Sequence, residues 1–266
     1  MELTDTQFHR YARHLILDEV GDEGQERLLG SRVLVIGAGG LGSPLLMYLA
    51  AAGVGTLGIV DDDLVDITNL QRQIVHTTPR LGEGKVASAA AAVRDLNPDV
   101  KIDSYPVRLS AGSAADLIRP YDLVVDGSDN FATRYLVNDA CFLLSKPLVT
   151  AALLRFEGQL FTFDPKHRPG TPCYRCVFPE APGEDVVPRC DQAGILGAVA
   201  GVMGTCMAAE VLKELLGIGT TLAGHMLLYD ALDTRFQRIA VPADPACPLC
   251  GSQPSITDLS VHRPAA

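Results

Sequence analysis

Tryptophan is absent from this chain of 266 residues, and aromatic residues make up only 6% of it. The core must therefore be aliphatic and alanine-rich, and a hydrophobic share of 47% supplies ample material for one. Positive charge is the scarcer sign. Against 32 Asp and Glu stand 22 Lys and Arg, a formal net charge of −10. That excludes a general nucleic-acid-binding or anionic-membrane surface, both of which want a basic face. It leaves room for an anionic small molecule, which needs only local cations. The amino end has no basic stretch followed by an apolar run, so no secretory leader is expected. Long apolar runs are lacking too. The longest uncharged stretch, residues 192–209, is broken by Gly194, Gly197, Gly201 and Gly204. A membrane span needs about 20 predominantly apolar residues. This stretch reads instead as a closely packed buried helix. Seven cysteines, four of them in two Cys-x-x-Cys pairs, suit a reducing, cytoplasmic setting and a metal rather than a disulfide scaffold.

The stretch from Arg32 to Gln73 organises the rest. Val33-Leu-Val-Ile36 is an apolar, β-branched run of the kind found in a buried parallel strand. It leads into Gly37-Ala-Gly39-Gly40-Leu-Gly42, which fits G-x-G-x-x-G. A small-residue helix over residues 41–52 follows and ends at Gly53 and Gly55. A second strand, 57–60, delivers Asp61. Strand, glycine turn, helix, strand and acid make the first half of a doubly wound nucleotide-binding fold. Gly37 and Gly39 permit a tight turn and the approach of phosphate, while Gly42 lets the helix pack close. Unpaired N–H groups at the helix start suit an anion. Asp61 is placed to accept from ribose hydroxyls. The plain alternative is a glycine turn that serves packing alone.

Asn69, Arg72 and Lys85 narrow the nucleotide. A nicotinamide enzyme has no general use for an arginine here, whereas a guanidinium fork matches the oxygens of a triphosphate. The alternative for Arg72 and Lys85 is solvated surface charge. Further on, a buried strand over 122–126 ends at Gly127-Ser-Asp129-Asn130. In open α/β sheets ligands bind outside the carboxyl ends of the strands, so Asp61 and Asp129 should face one crevice. A carboxylate beside a triphosphate can hold magnesium. Asp129 could equally cap the helix expected over 132–144. Asp126 reads as a strand-end residue.

Cys173-Tyr-Arg-Cys176 and Cys247-Pro-Leu-Cys250 are two knuckles with seventy residues between the inner cysteines. Four thiolates from two tight turns satisfy a tetrahedral, closed, structural zinc. Residues 179–188 are rich in Pro, Glu and Gly, and read as a loop. That loop leads to Arg189-Cys190-Asp191, where a neighbouring arginine and a helix start would favour thiolate. At the amino end, Thr4 and Gln7 form a capping box for a helix reaching Leu17. Its apolar face is expected to contain Phe8, Tyr11 and Leu15.

These motifs together (GAGGLGS, the acids after the second strand, TNLQRQ, DGSDN and the paired Cys-x-x-Cys) resemble the MoeB/ThiF/HesA family over roughly residues 4–251. These are bacterial relatives of ubiquitin-activating enzymes. The resemblance implies a mostly parallel Rossmann-like sheet extended by C-terminal antiparallel strands, in one domain over residues 1–251, with a zinc-bearing, carrier-binding half from about residue 151. It implies ATP-dependent adenylation of the C-terminal Gly-Gly carboxylate of a ubiquitin-like sulfur carrier, with a separate sulfur donor. On this likeness Gly37, Gly39, Gly40, Gly42, Asp61 and Asn69 hold ATP. Arg72 and Lys85 bind phosphate, and Asp129 with Asn130 serves the magnesium end. Arg13 would reach the ATP of a partner subunit in a homodimer, and Cys190 would take part in sulfur transfer. Residues 252–266 read as a disordered tail. Two other readings stand beside this one: a nicotinamide-dependent oxidoreductase on the same fold, and a non-catalytic carrier- or nucleotide-binding homologue.

Overall fold

The computed structural model describes residues 3–181 and 194–263. Eight strands form one sheet in the order β3-β2-β1-β4-β5-β6-β7-β8. The strands are β1 (Arg32–Ile36), β2 (Thr56–Val60), β3 (Lys101–Tyr105), β4 (Leu123–Asp126), β5 (Leu148–Leu154), β6 (Glu157–Phe163), β7 (His225–Asp230) and β8 (Arg235–Ala240). Strands β1 to β5 run parallel. Strands β6, β7 and β8 extend the sheet antiparallel, as the sequence predicts.

The apolar runs of the parallel strands serve both faces. Val33 and Val35 enter one core with α3 (Gly42–Ala52), α4 (Lys85–Leu96) and α8 (Gly197–Leu216), whereas Leu34 and Ile36 enter the other with α5 (Ala114–Ile118), α6 (Phe131–Leu143) and the short α7 (Tyr174–Val177). That two-sided burial is why β1 lacks a polar alternation. The glycine-rich helix α8 lies against α3. A Cβ at Gly204 would run into Pro44 and the Leu41 carbonyl. Glycine therefore permits the contact, and no described helix is long and apolar enough to cross a membrane.

Three local expectations differ from what is observed. The first helix, α1 (Asp5–Leu15), carries the capping box between Thr4 and Gln7, but Phe8 is 54% exposed and only Tyr11 is buried. The Tyr11 hydroxyl accepts from Asn97 Nδ2 at 2.9 Å, which ties α1 to the far end of α4. A second helix, α2 (Gly21–Gly30), stands between α1 and β1, where the sequence reading placed no element; its Gln25 is buried and donates to the Ala52 carbonyl. Finally, residues 252–263 of the tail are anchored. Ile256 is buried beside Cys173 and Cys247, and His262 Nε2 lies 2.7 Å from Asp139 Oδ2. The polar composition of 252–263 hid two anchors: one apolar residue and one imidazole facing a buried acid.

Candidate functional site

The crevice opens at the carboxyl ends of β1 and β4, where the chain order of the sheet reverses. Gly37 follows β1 with φ +90°, a left-handed conformation that favours glycine. A Cβ there would press on the backbone of Gly127 and Ser128, so the turns after β1 and β4 touch. A Cβ on Gly42 would strike the Gly37 carbonyl, which makes that glycine the condition for helix α3 to start here. The Ser43 N–H bonds back to the Gly39 carbonyl at 2.9 Å. The N–H groups of Gly39, Gly40, Leu41 and Gly42 find no acceptor among the described residues. Unpaired donors at a helix start, on the rim of a crevice, form a cradle for an anion.

Asp61 closes one side. Its Oδ2 accepts from the Ala38 N–H at 2.8 Å and its Oδ1 from the Asp63 N–H at 2.9 Å. Burial raises the pKa of Asp61 above the ordinary carboxylate value, and nearby Lys85 opposes that. Lys85 opens α4. Its side chain is only 7% exposed, and its Nζ pairs with Asp63 Oδ2 at 2.7 Å. A buried ammonium held beside two acids is not a solvated surface charge.

Asn69 ends a short 3₁₀ turn that Asp66 caps. Its carbonyl accepts from the N–H groups of Arg72 and Gln73, at 3.1 and 2.9 Å, and so places both on one turn. The Arg72 stem lies against Gly40 and its guanidinium donates to the Thr68 carbonyl at 3.0 Å. Gln73 is buried next to Gly39, with its Oε1 unpartnered. Ser128 Oγ, beside Gly37, is also buried and unpartnered. Two orphaned polar atoms flanking a glycine cradle fit a polar ligand that supplies the missing partners.

The helix after β4 is capped by Asn130, not by Asp129. Asn130 Oδ1 accepts from the Thr133 N–H at 2.9 Å. Asp129 is thereby left exposed at the crevice with no partner among the described residues. Arg134, on α6, steadies that turn by donating to the Ser128 carbonyl at 2.6 Å. Asp126 is a strand-end residue as expected, buried and accepting from Ser128 N–H and Thr150 Oγ1. Arg13 is not brought to this crevice. It sits in the last turn of α1, whose contacts (Arg10 to Leu96, Tyr11 to Asn97) are at the carboxyl end of α4, twelve residues from Lys85. Cys190 lies outside the described residues.

The four predicted cysteines do converge. Their Sγ atoms all lie within 4.8 Å of one another, with separations of 3.9, 3.6 and 3.3 Å for the pairs Cys173–Cys176, Cys173–Cys247 and Cys176–Cys250. No disulfide joins them. Four thiolates about 2.3 Å from a tetrahedral zinc stand roughly 3.8 Å apart, so the donor set fits that ion. The knuckle is bound to α6 by Asp139, which receives both arms of Arg175 at 2.8 and 2.7 Å. Burial works against the Asp139 carboxylate, but His262 and Arg175 outweigh it and hold its pKa below the usual value.

Sequence reasoning missed Asp63 as the partner of Lys85, and Arg134, Asp139, Arg175 and His262. It also missed His76, buried behind the glycine loop. Pairing in the folded chain marks these residues, most of it across long stretches of sequence, and no motif carries that signal.

A doubly wound sheet with an anion cradle, an acid at the second strand end and two nearby cations has the features of a candidate nucleotide-binding site, and the four-sulfur cluster sets this protein apart from a simple dinucleotide-binding domain. The chain belongs to the ThiF family, whose model matches residues 11–249. It is 51% identical over 264 residues to the sulfur carrier protein adenylyltransferase of Thermus thermophilus, covering 97% of this chain and 96% of that protein. It is 50% identical to the SAMP-activating enzyme E1 of Haloferax volcanii, over 94% of this chain and 92% of that one. The mouse adenylyltransferase and sulfurtransferase MOCS3 is 51% identical over 96% of this chain, which spans 55% of its length. Among solved structures, E. coli MccB with MccA-N7isoASN superposes with a TM-score of 0.81 at 19% identity, covering 94% of this chain and 76% of that chain, a likeness of fold.

Proposed function

We propose that this chain is an adenylyltransferase that activates the C-terminal Gly-Gly carboxylate of a ubiquitin-like sulfur carrier with ATP. The carboxylate attacks the α-phosphorus, a carboxylate–phosphorus bond forms, the α–β anhydride bond breaks, and pyrophosphate leaves. The observation that carries this reading is Lys85, buried at the mouth of the glycine cradle beside Asp61. A polyanion makes use of a desolvated ammonium and of unpaired N–H groups together. Relatives about half identical over nearly the whole chain are named adenylyltransferases, which sets the oxidoreductase alternative aside.

A carboxylate needs no general base, so catalysis rests on positioning and on neutralising phosphate charge. Asp61 accepts from ribose and fixes the loop. The glycine N–H groups, Asn69, Arg72 and Lys85 hold the phosphates. The free carboxylate of Asp129 would hold magnesium, which when bound offsets the charge of the leaving pyrophosphate. Asn130 shapes the Asp129 turn by capping α6. The four cysteines would hold zinc, which has no open position and supplies no chemistry. Arg13 lies too far along α4 for its own crevice and would serve the neighbouring one in a homodimer. The β7–β8 extension would seat the carrier. Cys190 would receive the activated carrier during sulfur transfer from a separate donor.

ATP–pyrophosphate exchange tests this. Purified carriers ending in Gly-Gly, supplied one at a time with ATP and magnesium, should produce exchange with at least one. ATP binding without exchange for any carrier would leave a non-catalytic binding protein.

A further inference from the structure

The peptide groups on either side of Ala38 are gripped from opposite directions. Asp61 takes the Ala38 N–H. The Ala38 carbonyl lies 2.9 Å from Nε2 of His76, whose Nδ1 lies 2.9 Å from Ser88 Oγ on α4. His76 is 4% exposed, so both ring nitrogens are committed inside the protein. A carbonyl can only accept, so Nε2 carries the proton and Nδ1 accepts from the Ser88 hydroxyl. Burial disfavours the charged form of the imidazole; the hydrogen bond to the Ala38 carbonyl opposes that, Lys85 and Arg80 nearby add to it, and the pKa is held below the usual histidine value.

In a trans peptide the C=O and N–H point opposite ways, and no cis bond occurs among the described residues. Holding the Ala38 carbonyl toward His76 therefore turns the Gly39 N–H away from it. That N–H is the first of the four unpaired donors of the cradle. Ser88, one turn after Lys85, fixes the imidazole in turn. We propose that His76 is a positioning residue for the nucleotide phosphates: it aims the Gly39 N–H into the crevice and couples the glycine loop to the helix that carries Lys85. This inference rests on the reading of the crevice as an ATP site. Asp61 alone leaves the Ala38–Gly39 peptide free to rotate, since it holds the preceding one.

The test compares ATP and adenosine binding by calorimetry, with magnesium, in the whole protein. His76→Leu removes the donor, whereas His76→Gln offers an amide N–H near the position of Nε2. His76→Leu should weaken ATP about tenfold and leave adenosine binding unchanged, with His76→Gln recovering most of the loss. A merely structural role would weaken both ligands together and would not be rescued by glutamine. Unchanged ATP affinity, an equal loss of both ligands, or a glutamine variant as weak as leucine would each overturn the proposal. Should His76→Leu fail to fold, Ser88→Ala, which frees Nδ1, is expected to weaken ATP about threefold without touching adenosine, and no change would overturn it. A wild-type protein that binds no ATP would refute the nucleotide reading itself; wild-type binding with unaffected variants would refute only the role of His76.

Discussion

Lys85 and Asp63 form an asymmetric pair: the ammonium is 7% exposed, the carboxylate 66% exposed, and 2.7 Å separates Nζ from Oδ2. The buried charge is thus neutralised by an acid that can swing into solvent when a stronger anion arrives. Lys85→Met should weaken ATP about a hundredfold, the worth of a desolvated charge-assisted hydrogen bond. Asp63→Asn should leave ATP affinity equal to or greater than wild type, because the ligand no longer competes with the carboxylate. Titration calorimetry checks both, and tighter binding by Lys85→Met would contradict the arrangement.

Asp61 sits in a conflict between stability and binding. Burial raises its pKa, so the folded, ligand-free protein holds its charged form at a cost. Asparagine keeps one oxygen for the Ala38 N–H. Asp61→Asn should therefore melt no lower than wild type without ligand, yet bind ATP weakly. A drop in melting temperature matched by normal ATP affinity would reverse the assignment.

The four sulfurs predict a stabilising metal. A structural zinc site contributes on the order of 10 kcal/mol in small domains. Cys247→Ser or prolonged chelation should lower the melting temperature sharply and release about one zinc per chain, as read by metal analysis. Full stability in a metal-free sample would count against zinc.

Asp139 ties the Cys-x-x-Cys knuckle and the tail to α6. Its pKa is lowered in the fold, so its contribution to stability is complete above the unfolded carboxylate value near about 3.9 and is lost as pH falls through the folded value. Asp139→Asn should flatten that acid limb of the unfolding curve. At neutral pH it should cost about 3–5 kcal/mol, because Arg175 is left buried without its partner. Truncation after Gly251 should also destabilise the protein, by about 1–3 kcal/mol, through the loss of Ile256 burial and of the His262 contact.

Arg13→Ala tests the neighbouring-site role. Exchange activity should fall by about 10³ or more while sedimentation shows the same oligomer as wild type. Normal exchange would remove Arg13 from the mechanism.

Much of this was legible in one dimension. The glycine loop, the apolar strands and the cysteine knuckles are short-range patterns, each tied to a local requirement: a positive φ at Gly37, burial on both faces of β1, two thiolates per turn. The helix α2 escaped because its Gly-, Asp- and Glu-rich first half reads as loop and its burial depends on Gln25 reaching the Ala52 carbonyl. The polar tail escaped for the same reason: a single imidazole meets a buried acid 123 residues earlier.

The sequence by itself determined the class of ligand. Which residues can donate, accept or carry charge at a strand end is written in their order, and a phosphate cradle needs only contiguous glycine backbone. The tertiary structure alone decided which of those residues are free to act. Asn130 rather than Asp129 caps α6, Lys85 is desolvated rather than solvated, and His76 is held at both ring nitrogens inside the protein. These are choices between competing hydrogen-bond partners, and the winning partner lies far along the chain, where only packing brings it into reach.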